Sequence, residues 1–479
     1  MGSLEHDLWT ILPLLILAAG ALLIMLLDVF TKEEWPGGLV AGTFLVIALF
    51  STINDFPSSG ASVSVFSGLL SFDLFTSFFF LLILSASVLV LLLSEGKLRE
   101  EGVTAPGDYY ALYLMCIIGA VIFVAATELI TLFVGLEIMS MALYCLCGSA
   151  RQLKRSAESS MKYFFLGSFS SAFLLYGIAL LYGLTGTTEI SHIAGALTTV
   201  DSPILSIALG LLLVGFVFKV GVFPFHFWAP DVYQGAPTPV TVFMACVIKA
   251  AAVGAMMRVL WTTFPTEEFF AVWSGAVWII ALTTMVFGNI VALRQRTMKR
   301  MLAYSSVAHA GYIMVGFLAP SEFGGGAAIL FYLVSYTVMT LGAFGVVLAV
   351  SANQSDDEAG DDITRFNGLG RKSPYLAGLM TLFLLSLAGL PPGLAGFLGK
   401  FYIFSAAVRA DFVGLSIVGL LCSAISCYYY LRVVVAMYFV PESVEDSSVE
   451  TPRMGVGAFG VLTLCGVLVV GLGLFPAPL

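Results

Sequence analysis

Apolar positions along this chain neither alternate nor recur every third or fourth residue. They come in long unbroken runs separated by short polar segments. A helix needs about 17–25 apolar residues to cross the hydrocarbon core of a bilayer. Fourteen such runs are read, at approximately 8–28, 37–53, 72–94, 108–126, 128–149, 157–184, 203–227, 240–262, 269–293, 300–318, 324–352, 374–409, 413–440 and 455–475. The pattern predicts an all-α polytopic membrane protein of about 14 transmembrane helices. The thinnest separator is the Ala126–Thr127 region between the fourth and fifth runs. Proline interrupts the runs at 203–227 and 374–409.

Composition agrees. The chain is 59% hydrophobic and 11% charged, against about 25% charged in soluble domains. The opening MGSLEHDLW has no basic segment before its apolar run, so it reads as the approach to a first span rather than a cleaved signal peptide. The net charge of −9 sits largely in loops such as SDDEAGDD and PESVEDSSVE, which are either solvated or face a basic partner. No basic patch suggests nucleic acid. The seven cysteines lie in apolar runs without a CxxC pair, so neither a disulfide framework nor a metal site is indicated.

Lysine and arginine set the orientation. Lys32, Lys97, Arg99, Arg151, Lys154, Arg155, Arg294, Arg296, Lys299, Arg300, Arg365, Arg371, Lys372 and Arg453 all fall in loops on one side of a fourteen-span chain. The opposite loops hold almost none. Both termini are therefore expected on the non-cytoplasmic side.

The two interrupted runs share a motif. Around the first the chain reads VGVFP, Val220 to Pro224; around the second it reads AGLPP, Ala388 to Pro392. Each has a glycine three residues before a proline, and the two lie five spans apart. An odd number of spans per repeat inverts the second repeat in the membrane, and paired broken helices mark transport sites. The alternative is a pair of unrelated proline kinks. The repeat reading divides the chain into an N-terminal three-helix segment (1–107), a first five-helix repeat (108–262), a second, inverted one (263–440) and a loop with a final helix (441–479). Pro224 has no N–H and its ring pushes on the carbonyl of Val220, so the first break is expected about a turn and a half after Lys219.

Ionisable side chains inside spans are costly and call for a reason. Lys219, Lys249 and Lys400 lie near mid-span, too deep to snorkel easily. Glu137 sits in the middle of LFVGLEIMSMALY. Glu128, nine residues earlier, falls on the opposite face, and solvation at the span end explains it. Lys162 is read either as a functional amine or as one that snorkels to the interface. His309, in YSSVAHAGY, is either a packing residue or a proton carrier. His226 follows the first break near the membrane edge and is equally open. Arg432 does not release a proton and reads as a fixed or structural charge. Burial favours a neutral amine and a nearby carboxylate favours the charged one. A movable Glu137 would therefore switch Lys219 between holding and releasing a proton, provided the two meet in space.

KVGVFPFHFWAPDVYQGAPTPV, with LFVGLEIMSMALY, ESSMKYFFLGSFSSAFLLYG, KRMLAYSSVAHAGY and LAGLPPGLAGFLGKFYIF, resembles the antiporter-like membrane subunits of NADH:quinone oxidoreductase, respiratory complex I. Within that group the chain is most similar to the N type: it has lysine rather than glutamate at position 400, and it stops soon after its fourteenth span. The resemblance covers nearly the whole length. It implies a proton relay through Glu137, Lys162, Lys219, Lys249, His309 and Lys400. In that relay Glu137 and Lys219 are the controlling pair, Lys162 modulates it, and Lys400 lies on the exit side. It implies no redox centre in this chain: NADH, FMN, iron–sulfur clusters and quinone belong to other subunits. It implies partners among the other membrane subunits, including the other antiporter-like ones, and an energy-transducing membrane such as the bacterial inner membrane. A subunit of a multi-subunit Mrp-type Na⁺/H⁺ antiporter would share the fold and most motifs. A structural scaffold would share the fold without using the lysines.

Overall fold

The computed structural model describes residues 2–31, 35–55, 62–197, 202–264, 266–350, 362–391, 394–441 and 454–476. Lys32, Pro392 and Arg453, used in the reading above, lie outside them. The membrane helices are α1 (Leu12–Phe30), α2 (Gly37–Asn54), α3 (Leu74–Ser94), α4 (Pro106–Ala125), α5 (Leu129–Cys147), α6 (Lys154–Thr185), α7 (Pro203–Val220), α8 (Trp228–Gly235), α9 (Thr238–Thr263), α10 (Glu267–Ala292), α11 (Met298–Phe317), α12 (Gly325–Val350), α13 (Pro374–Ala388), α14 (Ala395–Arg409), α15 (Val413–Phe439) and α16 (Val456–Leu474). Among the described residues, 12 of these are long and apolar enough to cross a membrane on their own. The helix α11, which carries Arg300, Ser305, Ser306, His309 and Tyr312, and the broken pair α13–α14 are further helices beside these twelve.

The helix starts are chemically marked. Asp73 caps α3 by accepting from the Thr76 N–H at 2.7 Å. Glu128 caps α5, accepting from the N–H and hydroxyl of Thr131 at 2.7 and 2.9 Å. That capping role replaces simple solvation as the account of Glu128. It also defines the narrow turn between α4 and α5. The first N–H of α9 is capped from a distance: the buried Glu101 carboxylate accepts from Thr238 N at 3.0 Å and from its hydroxyl at 3.1 Å. Arg258 ties the other end of α9 to α3 and α4, bonding both Asp73 oxygens at 3.0–3.1 Å and the Val124 carbonyl at 2.9 Å. Burial alone would raise the Asp73 carboxyl, but Arg258 and the Thr76 N–H outweigh it and hold the carboxyl below the usual range.

Two helix pairs approach closely through glycine. A Cβ on Gly119 would lie 2.3 Å from Met139 N, and one on Gly135 2.6 Å from Phe123 N, so α4 and α5 touch backbone to backbone. Gly288 and Gly311 do the same for α10 and α11, each 2.8 Å from a facing backbone nitrogen. Small residues at such contacts are how membrane helices pack tightly. The segment α9 sits at the centre, its best apolar window wholly buried.

The breaks differ from expectation in one respect. α7 stops at Val220, where Gly221 adopts a left-handed conformation (φ 77°), and α13 stops at Ala388, where Gly389 does likewise (φ 75°). Gly221 and Val222 donate back to the Val217 carbonyl at 3.0 and 3.1 Å; Gly389 and Leu390 donate to Leu385 at 3.2 and 3.3 Å. This is the glycine-terminated helix end, in which a left-handed residue closes the ladder. Glycine, not Pro224, therefore ends the first half-helix, before the proline ring meets any helical carbonyl. Lys219 lies in the last turn rather than a turn and a half upstream of the break.

Candidate functional site: a buried row of titratable side chains

Lys219 is 3% exposed. Its ammonium lies over the rings of Tyr144 and Tyr163, at 5.2 and 5.0 Å from their centroids. Glu137 is within Coulombic reach of both Lys219 and Tyr144. Yet Lys219 Nζ and Glu137 Oε1 have no hydrogen-bond partner among the described residues, and neither do the Tyr144 and Tyr163 hydroxyls. The expected pair thus shares an aromatic pocket rather than forming an ion pair. Cation–π attraction stabilises the ammonium without a counter-charge in contact.

Lys162 is placed elsewhere. Its side chain is 43% exposed and bonds Glu158 at 2.7 Å and Asp231, on α8, at 2.9 Å. Arg300 of α11 bonds the second Asp231 oxygen at 2.8 Å. These groups line an open polar cavity of about 220 Å³. Among the described residues the ion-pair partners of Lys162 are Asp231 and Glu158, not Glu137.

Lys249 follows a π-helical segment, Met244–Ile248, and a second, Val259–Thr263, ends the same span. Such segments carry one extra residue per turn and concentrate at functional sites. The Lys249 ammonium donates to the Ser306 carbonyl at 2.8 Å and to the Ser306 hydroxyl. Tyr336 donates to that same hydroxyl at 2.7 Å. Three residues on, His309 is 1% exposed and held at both ring nitrogens: Nδ1 lies 2.6 Å from the Tyr332 hydroxyl and Nε2 3.2 Å from that of Tyr430. Tyr430 also bonds the Ser305 hydroxyl.

Lys400 lies on α14, beyond the second break, and reaches back across it. It donates to the carbonyls of Leu387 and Ala388, the last two residues of α13, at 3.0 and 2.9 Å, and to Ser423 at 2.8 Å. Helix carbonyls at that end have no intrahelical partner, so the ammonium caps them. At the first break the corresponding donor is an indole: Trp228 Nε1 bonds the Phe218 carbonyl at 3.0 Å.

His226 is buried, its ring packed against Phe223, Phe227 and Phe287, apart from the lysine pocket. Arg432 donates to the Leu293 and Gln295 carbonyls at 3.1 and 2.7 Å, at the end of α10, as a structural charge would. Among the described residues no group of three or more His, Cys, Asp or Glu side chains is placed to hold a metal. The residues missed from the sequence are the hydroxyls: Ser306, Tyr332, Tyr336, Ser423 and Tyr430. Tyrosine and serine in an apolar run carry no signal of their own.

Residues 126–426 match the family model described as NADH:quinone oxidoreductase/Mrp antiporter, TM. The chain is 44% identical to the NADH-quinone oxidoreductase subunit N of Trichlorobacter lovleyi, over 97% of this chain and 94% of that one. A chain of the respiratory complex I structure from Thermus thermophilus with bound aureothin superposes with a TM-score of 0.82 at 34% identity, covering 97% of both chains. A chain of the Mrp complex from Dietzia sp. shares the fold, with a TM-score of 0.80 at 20% identity over 96% of this chain and 93% of that one. The chain belongs to the NADH:quinone oxidoreductase/Mrp antiporter family of membrane proteins.

Proposed function

We propose that this multi-pass membrane protein is a proton-translocating subunit of an NADH:quinone oxidoreductase. Electron transfer from NADH through FMN and iron–sulfur centres to quinone takes place in other subunits, and this chain moves protons. One observation carries the reading. Lys219, Lys249, His309 and Lys400 are all 4% exposed or less, and among the described residues none has a carboxylate in contact. Unpaired amines buried this deeply are costly, and a structural scaffold gains nothing from them.

Each side chain has a role in this reading. Glu137 biases Lys219 through space, across the Tyr144 pocket. Lys249, at the centre, receives the proton. His309 passes it toward Lys400, whose ammonium sits at the end of α13. Lys162 acts on the cytoplasmic side through Asp231, and His226 is a secondary, packing neighbour. The matched glycine breaks at Gly221 and Gly389, and the matched glycine contacts of α4–α5 and α10–α11, support two inverted repeats over 108–262 and 263–440, with 1–107 and 441–479 outside them.

The test is a double-mutant cycle in the assembled oxidoreductase. Glu137→Gln and Lys219→Ala should each lower proton uptake during NADH oxidation, and the double variant should lose less than the sum, because groups acting as a unit are non-additive. Strictly additive losses would mean that the two act independently. Preparations carrying flavin and iron–sulfur absorbance favour this reading over an Mrp-type antiporter, which would be colourless. The proposed membrane is energy-transducing, such as a bacterial inner membrane, with the other antiporter-like subunits as neighbours and both termini on the non-cytoplasmic side. A reporter fused after Leu479 should be active only there; cytoplasmic activity would change the crossing number by one.

A further inference from the structure

We propose that Tyr430 and Tyr332 are the two proton ports of His309, one facing Lys249 and the other facing Lys400. The proposal rests on the relay reading and adds to it which atoms carry the proton on each side of the imidazole.

A neutral imidazole has one N–H donor and one bare nitrogen acceptor, whereas a hydroxyl can both donate and accept. His309 holds a tyrosine hydroxyl at each nitrogen, at 2.6 Å on Nδ1 and 3.2 Å on Nε2. In either tautomer one tyrosine donates and the other accepts, so both tautomers are satisfied by the same side chains. One proton can then cross without any net change in charge. As the Ser305 hydroxyl takes up a proton released on the Lys249 side it gives its own to the Tyr430 oxygen, and Tyr430 gives its own to Nε2. The Nδ1 proton moves to the Tyr332 oxygen, whose original proton is taken up on the far side by Lys400 in its neutral amine form. One proton has gone in and one out, and the ring is left in its other tautomer. It must be reset before the next passage, so transfer through His309 is stepwise.

The two ports point at different lysines. Tyr430 is bonded to Ser305, whose neighbour Ser306 holds the Lys249 ammonium. Tyr332 packs its ring against Gly399, where a Cβ would lie 2.7 Å from the ring, and Gly399 adjoins Lys400. The helices repeat this division. α12 carries Tyr336 on the Lys249 side and Tyr332 one turn away, while α15 carries Tyr430 and, two turns earlier, Ser423 on Lys400. The titratable and charged groups facing His309 are Tyr312 on its own helix, Tyr332 and Tyr336 on α12, Tyr430 on α15, Lys249 on α9 and Lys400 on α14.

The experiment uses vesicles carrying the whole oxidoreductase. Tyr332→Phe and Tyr430→Phe keep the rings and remove one hydroxyl each. Tyr113→Phe is the control, because it loses a comparable buried bond, 2.8 Å to the Ser87 carbonyl, on a helix that touches neither His309 nor the two port tyrosines. Each port variant should lower proton uptake per NADH about tenfold, less than the ~10²–10⁴-fold that a positioned proton transfer typically contributes, and the control should stay near wild type. Where a phenylalanine variant does not assemble, difluorotyrosine placed at 332 or 430 decides. It keeps the shape, makes the hydroxyl more acidic, and should move the alkaline limb of the pH profile of uptake to lower pH. Wild-type uptake in both port variants, an unmoved pH profile, or an equal loss in Tyr113→Phe overturns the ports while His309→Ala remains impaired. Wild-type uptake in His309→Ala overturns the relay reading itself.

Discussion

Lys219→Arg is expected to lower NADH-driven proton uptake about tenfold, nearly as far as Lys219→Ala, in a complex that still assembles. Two roles fit a buried amine: a fixed charge that shapes the field, or a group that takes and gives up a proton. Arginine separates them, because it keeps the charge and does not release its proton in a protein. The pocket favours a clean comparison. The ammonium rests on Tyr144 and Tyr163 rather than on a carboxylate. A guanidinium stacks on aromatic faces at least as well as an ammonium. The fixed-charge role would therefore survive the substitution. Uptake is measured in vesicles, with subunit content checked by gel. Near-normal uptake by Lys219→Arg would sink the proton-carrying role and leave only the charge.

Lys249→Met should lower uptake by a similar factor, about tenfold or more, while leaving the assembled complex at least as resistant to heat. The two effects have opposite physical origins. Lys249 is the polar group of α9 that reaches the Ser306 side of the network, so its removal separates the Glu137–Lys219 pocket from His309 and Lys400. Methionine keeps the length and the apolar stem. It removes a charge that burial makes costly and that no carboxylate among the described residues offsets. Thermal melting of the purified complex and proton uptake are then read on the same preparation. A drop in melting temperature with normal uptake would reverse the assignment and make Lys249 a packing residue.

The deep lysines and Glu137 were legible because a charge inside an apolar run has no bland explanation. The many apolar helices were legible for the reverse reason: long runs without charge leave few alternatives to a membrane span. Other features were hidden by the nature of the signal. Pro224 drew attention to the first break, but the glycine three residues before it ends the helix, because a left-handed residue closes the ladder earlier than a proline ring can. Lys162 and Asp231 are 69 residues apart, and nothing local couples them. The tyrosines around His309 read as ordinary aromatic packing, since a ring in a span is apolar by any count and only geometry shows where its hydroxyl goes. The π-helical turns beside Lys249 depend on tertiary packing and leave no mark in spacing.

The end of α13 has a consequence for ion selectivity. Two helix-terminal carbonyls and one hydroxyl converge at 2.8–3.0 Å on a single positive group. Transporters use such frayed helix ends to hold a dehydrated alkali cation. Here the same oxygens hold the tip of Lys400, so the cation is tethered to the protein and only its proton is exchangeable. A free sodium ion would have to displace the whole side chain to reach those oxygens. In the proposed relay, discrimination between H⁺ and Na⁺ at this end would be set by a covalent leash rather than by the fit of an ion in a cage.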